Sequence, residues 1–265
     1  MSEPNESVTV LRILVALDAS QYGRAALEAA AHLAAEMSAE LHGLFVEDVD
    51  LLRIAGLPFT REIAYPSAAQ RELTLANVQR TLRAKAEEAR IVFSSTVRQA
   101  HLRSTFRVVR GQFSRLALES STQADLLLIG CECRATKQIH RKMPAKKMDG
   151  APILIVYDGS PASRRAVDAA ARLGRDSNAQ LVISAVAQDS THPSQLLQPL
   201  SDWLAKRSLQ ATMVGPAIST AQDVIELAKL HGAGIVVLAS GCSLLDEAVL
   251  ESFVRDLECP LGLVS

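Results

Sequence analysis

A chain of 265 residues has room for one large domain or for two of ordinary size, and 48% hydrophobic residues with only 4% aromatics make a core of Ala, Val, Leu and Ile, which favours α/β over an aromatic-rich β-sandwich. Lys plus Arg is 28 and Asp plus Glu is 29, so there is no net field to draw DNA, RNA or an anionic membrane, and nucleic acid is set aside as a partner. Residues 1–6 are polar and acidic, no apolar stretch approaches the ~20 residues that span a bilayer, and the four cysteines form no disulfide framework, so a soluble cytoplasmic chain with reduced thiols is expected.

In chain order, the apolar run 13–17 reads as a buried strand, and 21–37, with Ala25, Leu27, Ala30, Leu33 and Ala34 at helical spacing, as a helix. A strand at 40–46 follows, then an apolar loop or short helix at 48–58 and a long mixed-charge helix over about 67–98. Residues 106–110 are a strand, 112–121 a helix and 125–129 an apolar strand. This alternation needs crossover connections and hence a mostly parallel sheet.

The plan then repeats. Ile-Leu-Val-Ala-Leu-Asp-Ala-Ser ends at Ser20, and Ile-Leu-Ile-Val-Tyr-Asp-Gly-Ser ends at Ser160. Strands at 153–157, 180–187, 211–215 and 235–239 alternate with helices at 161–174, 194–207 and 220–231. A helix at 245–257 and a strand at 261–264 have no clear counterpart in the first copy. The expected division is 1–150, carrying an extended helical insertion, and 151–265, shorter. Between Gly130 and Pro152 there is too little chain for a closing helix and strand, so the first sheet ends early or borrows pairing from the second copy.

This order of signatures resembles the universal stress protein family in tandem form. The residues that carry it are Asp18 and Ser20, Asp158 and Ser160, Val108-Val-Arg-Gly-Gln-Phe-Ser-Arg-Leu-Ala-Leu-Glu119, Ala124-Asp-Leu-Leu-Leu-Ile-Gly130 and Glu258-Cys-Pro-Leu-Gly-Leu-Val264. The resemblance implies parallel sheets with helices on both faces, packed as an internal pseudo-dimer, and dimerisation through the last strand. It also implies a division into ATP binders and non-binders. In binders the Asp matching Asp18 or Asp158 holds adenine, and a Gly-x2-Gly-x9-Gly-(Ser/Thr) run cradles the phosphates.

That run is broken in both copies. From Gly130 the later positions fall on Cys133, Met143 and Pro144; from Ser240 they fall on Ser243 and Phe253, or on Glu251-Ser252 with a two-residue deletion. Proline offers no N–H and glutamate repels phosphate. In the first copy Asp18, Val46 and Gly130 remain as candidate nucleotide contacts, and Asp158 in the second.

Each candidate has a plainer reading beside the functional one. Asp18 and Asp158 hold either adenine or the strand-to-helix turn, and Ser20 and Ser160 read as helix N-caps. Cys131 and Cys133, with His140 near, are a reactive thiol pair, an incomplete metal set or ordinary cysteines; Cys242 and Cys259 read as small core residues. Arg134, Lys137, Arg141, Lys142, Lys146 and Lys147 stand out as the one concentrated charge, either side-chain cations for a phosphate or an acidic protein, or a solvated linker. The apolar stripe of the long helix needs cover from the other half or another subunit, and 51–59 is a lid or a docking patch.

The expectation is a regulatory binding protein of the stress response with degenerate nucleotide motifs, acting through a protein partner, with no metal, no catalytic residue and no tightly held cofactor. The alternative is an ATP- or AMP-binding protein or weak ATPase using the first crevice, with Arg134 or Lys137 on the phosphates. A thiol sensor built on Cys131 and Cys133 is a third reading, and a homodimer is left open.

Overall fold

The structure is a computed structural model that describes residues 11–17, 21–58, 60–64, 69–130, 150–186, 193–214 and 217–265. The first half contributes strand β1 (Arg12–Leu17), helix α1 (Gln21–Glu36), β2 (Glu40–Asp48), α2 (Val49–Ala55), β3 (Arg61–Ala64), β4 (Ala69–Glu72), α3 (Leu75–Ala100), β5 (Ser104–Gly111), α4 (Phe113–Ser121) and β6 (Leu126–Ile129). The second contributes β7 (Ile153–Tyr157), α5 (Pro161–Ser177), β8 (Leu181–Ala185), α6 (Pro193–Lys206), β9 (Ala211–Met213), α7 (Ala221–His231), β10 (Ile235–Ala239), α8 (Glu247–Asp256) and β11 (Leu261–Val264).

Nine strands form one sheet in the order β5-β2-β1-β6-β11-β10-β7-β8-β9. Within each half of this sheet every pairing is parallel, and the outward order is the same, with β5-β2-β1-β6 matched by β9-β8-β7-β10; β3 and β4 form a separate antiparallel pair. Beside β10, parallel to it, lies β11. On its other side β11 pairs antiparallel with β6, setting Leu261 opposite Ile129 and Leu263 opposite Leu127. The borrowing that the short 130–152 interval implies therefore takes place, and the lender is the last strand of the chain. With both edges of β11 occupied, the last strand is paired entirely within the chain.

The antiparallel joint also sets the halves in opposite directions, so their strands end at opposite margins of the sheet. Helices cover both faces. One core layer lies under α1, α3, α5 and α6, with Leu27, Leu33, Phe93, Leu173 and Leu200 buried against Val15, Leu128, Ile155 and Val237. The other lies under α4, α7 and α8, where Ala117, Val224, Leu250 and Phe253 cover Leu14, Leu127, Leu238 and Leu263. This alternation along each strand is the period-two geometry of a sheet buried on both faces.

Two expectations need correction. The long helix starts at Leu75, where the Thr74 hydroxyl accepts the Asn77 N–H at 3.3 Å, not near 67; the preceding residues form the β3–β4 hairpin, whose short polar strands carry no alternating apolar pattern. The apolar stripe of α3 is covered within its own half: Val78 and Leu82 pack with Ala55 of α2, while Ala86, Ala89, Phe93 and Val97 join the layer under α1. Neither the second half nor another subunit is needed to bury it.

Candidate functional site

Open α/β sheets bind ligands beyond the C-terminal ends of their strands, at the point where strand order reverses. In this chain those points are the ends of β1, between β2 and β6, and of β7, between β8 and β10. At the first, buried Val46 near the end of β2 and buried Gly130 just beyond β6 flank Leu17. The rim beside Val46 is polar. Arg110 donates to Glu47 Oε2 through Nε at 3.1 Å and Nη2 at 2.8 Å. The Asp48 carboxylate caps α2 by accepting the Asp50 N–H at 2.8 Å, and Gln112 Nε2 donates to Asp50 at 3.3 Å. Asp18, Ser20, Cys131, Cys133, Arg134, Lys137 and His140 lie outside the described residues, so of the first-copy candidates the structure places Val46 and Gly130.

At the second crevice the residues after β7 and after β10 are described, while 187–192 after β8 are not. After β7, Gly159 turns through φ +84°, and a Cβ there would come within 2.9 Å of Leu196 from α6, so the turn requires glycine. The Asp158 carboxylate accepts the Ser160 N–H at 2.9 Å. Ser160 caps α5 by accepting the Ser163 N–H at 3.0 Å, with Pro161 in the first turn. On its other side Asp158 meets Cys242 from the loop after β10. Burial pushes the Cys242 thiol up to about 11; the Leu244 N–H opposes this, and the charge and hydrogen bond of Asp158 reinforce it. A thiol with that pKa is protonated at neutral pH and donates to the carboxylate.

The backbone of that loop is also committed. The Ser240 N–H bonds Val264 O at 2.8 Å, the Cys242 N–H bonds Ala239 O at 3.1 Å and the Leu245 N–H bonds Cys242 O at 2.9 Å. Gly241 has open space where a Cβ would stand, so no close backbone approach is built around it. At the start of α8 the Asp246 carboxylate takes the Val249 N–H at 2.8 Å, and Glu247 follows in the first turn. A helix start carrying two carboxylates repels an anion where a bare one attracts it. Counting along the sequence placed the phosphate positions at Phe253 or Glu251-Ser252; the structure puts all three inside α8, Phe253 fully buried and Glu251 accepting the Ser114 hydroxyl of α4 at 3.1 Å.

Residues 9–137 match the model of the universal stress protein family. Over this segment, just under half of the chain, it is similar to that family. A universal stress protein from Archaeoglobus fulgidus DSM 4304 shares the fold, at 13% identity over 96% of this chain and 98% of its own, with a TM-score of 0.53. A universal stress protein solved in complex with cAMP is 23% identical over 43% of this chain and 96% of its own (TM-score 0.36), and the universal stress protein UspA from Lactobacillus plantarum is 18% identical over 49% and 83% (TM-score 0.35). No curated protein matches the sequence.

Within this universal stress protein fold, sequence reasoning found the Asp158 turn and the Ser160 cap but missed the contact between Asp158 and Cys242. Cys242 reads as a small apolar core residue, and it is buried, but its distance along the chain from Asp158 hides the encounter. A signal was present: Cys242 falls two positions after Ser240, in the loop that follows β10, and that loop faces the end of the neighbouring β7. Among the described residues no group of three or more His, Cys, Asp or Glu is placed to hold a metal ion, and no helix is long and apolar enough to cross a membrane.

Proposed function

We propose that the chain is a regulatory binding protein of the stress response, built of tandem domains 1–150 and 151–265 and acting in the cytoplasm through a protein partner, without a catalytic step. The observation that supports this reading most is the closed second crevice. Asp158 is engaged by Ser160 and Cys242, the amides of Ser240, Cys242 and Leu245 bond to their own chain, and α8 opens on Asp246 and Glu247. A nucleotide would have to displace the thiol from Asp158 and set its phosphates against two carboxylates. Cys242 and Cys259 are buried and in no disulfide, which fits a reducing compartment.

A second reading has support in the first half, where Val46 and Gly130 stand at the strand ends in the places the family uses. In it Asp18 holds adenine and Arg134 or Lys137 meets the phosphates of ATP or another adenine nucleotide. Thermal-shift titration with ATP and AMP to millimolar concentration separates the readings. The partner-binding reading expects no shift for the parent protein or for Asp158→Ala; a saturable shift removed by Asp18→Ala would replace it with the nucleotide reading.

A further inference from the structure

The two margins of the sheet differ. One ends in β9, three residues long; the other ends in β5, eight residues long and largely exposed. The bond from Leu41 N–H to Arg103 O, with Leu41 in register with Ser104, fixes the phase of the β2–β5 ladder. Odd-numbered residues of β5 turn their backbone groups toward β2, and Ser104, Phe106, Val108 and Arg110 turn theirs outward. Those four N–H and four C=O groups have no backbone partner among the described residues.

Charge is concentrated on the same margin. Arg103, Arg107 and Arg110 lie on β5 or directly before it, and Arg90 of α3 stands over Phe106. On one face Arg107 and Arg12 both act electrostatically on His42, whose Nδ1 lies 2.6 Å from Thr105 Oγ1. On the other face Val108 is 40% exposed, beside Phe106, which packs on Phe93 and lies under the Arg90 guanidinium at 5.2 Å. Nearby carboxylates are partly engaged: Glu47 holds Arg110, Glu87 lies 3.7 Å from Arg90 and Glu40 lies 3.7 Å from His42. Arg103 and Arg107 make no ion pair among the described residues.

We propose that the outer edge of β5 is the docking site for an acidic, extended segment of a partner protein, which adds to the sheet as a further strand. Backbone bonds to Ser104, Phe106, Val108 and Arg110 supply the pairing; carboxylates on one face of the added strand meet Arg107 and Arg103, and apolar residues on the other cover Val108 and Phe106. A second copy of this chain is a poor occupant, because pairing β5 with itself brings two arginine-rich edges together. The proposal rests on the partner-binding reading and names its site. Nucleotide saturating a crevice would overturn that reading and leave this edge untouched, since β5 is the outermost strand.

The test uses the full chain and a blocked peptide of alternating Glu and Val long enough to span β5, with a Lys/Val peptide as control, read by fluorescence anisotropy and amide hydrogen exchange. The Glu/Val peptide is expected to bind, to weaken as salt rises, and to protect the amides of Ser104, Phe106 and Val108. Val108→Pro removes an outward N–H without touching a bond to β2, and Arg107→Glu reverses a charge; each should weaken binding about tenfold or more while the circular dichroism stays that of the parent. Equal binding of the Lys/Val peptide, unchanged affinity in Val108→Pro, or protection of those amides by self-association without peptide would overturn the proposal.

Discussion

The second half of the molecule owns every strand of its plan, whereas the first half lacks a closing strand of its own among the described residues and takes β11 from the other. The helix before that strand is shared as well: α8 packs against α7 of its own half and α4 of the first, where Ser114 donates to Glu251. The two halves are thus not independent. One closing unit, α8 and β11, serves both, and what it closes in the second half includes the crevice. The first half keeps the longer inserted helix and the longer exposed edge strand, so the more open sheet margin is on the half that borrows.

The strongest way to break this comparison is to empty the shared unit. Phe253 is fully buried under α8, and Phe253→Ala should destabilise the chain by about 3–5 kcal/mol. Urea denaturation followed by probes in each half should show one transition shifted as a whole; a shift confined to the second half would count against sharing. A smaller effect confined to the first half sharpens the contrast. Gly43 of β2 has no room for a side chain, because a Cβ would stand 2.7 Å from Phe106 and 2.9 Å from Phe93, so Gly43→Ala should cost about 1–3 kcal/mol. Its exchange signature should be greatest in β2, β5 and α3.

Smaller still is the cap of α7, a second-half feature with no bearing on the joint. Thr220 accepts the Asp223 N–H, and Asp223 accepts the N–H groups of Ser219 and Thr220, so Thr220→Ala should lose about 1 kcal/mol in thermal unfolding. The two backbone donors hold the Asp223 carboxyl below its ordinary value. Its contribution is therefore present above about pH 4 and is lost as the pH falls through the lowered folded-state value. Melting curves of the parent and Asp223→Asn should converge in acid; a gap that persists there would refute the linkage. The least perturbing test is chemical. Buried Cys242, with its thiol pushed up to about 11, and buried Cys259 should resist iodoacetamide at neutral pH until the protein unfolds. Rapid labelling of Cys242 in the folded chain would mean that the second crevice is open.

Much of the framework was legible in the sequence because it is written in local periodicity. The apolar runs 13–17, 153–157 and 235–239 appear as β1, β7 and β10 with little or no change, and the Ser160-Pro161 helix start appears as a formed cap. The short interval after Gly130 announced a missing strand, but only the pairing of Leu263 with Leu127 says where it comes from. The β3–β4 hairpin escaped because Arg-Glu-Ile-Ala and Ala-Gln-Arg-Glu have no apolar alternation to read.

The site was less legible, since its decisive contacts join residues far apart in the chain: Asp158 with Cys242, Ser240 with Val264, and Ser114 with Glu251. The arginines at the β5 margin were hidden for a related reason: Arg90, Arg103, Arg107 and Arg110 are spaced widely in sequence and are brought together by the turn from α3 into β5.

Native-state hydrogen exchange of Leu263→Ala tests the shared strand most directly, because Leu263 is fully buried between Leu127 of β6 and Leu238 of β10. Shared closure predicts that protection falls together in β6 of the first half and β10 of the second, by a similar free energy. Loss of protection in β10 with β6 unchanged would contradict it.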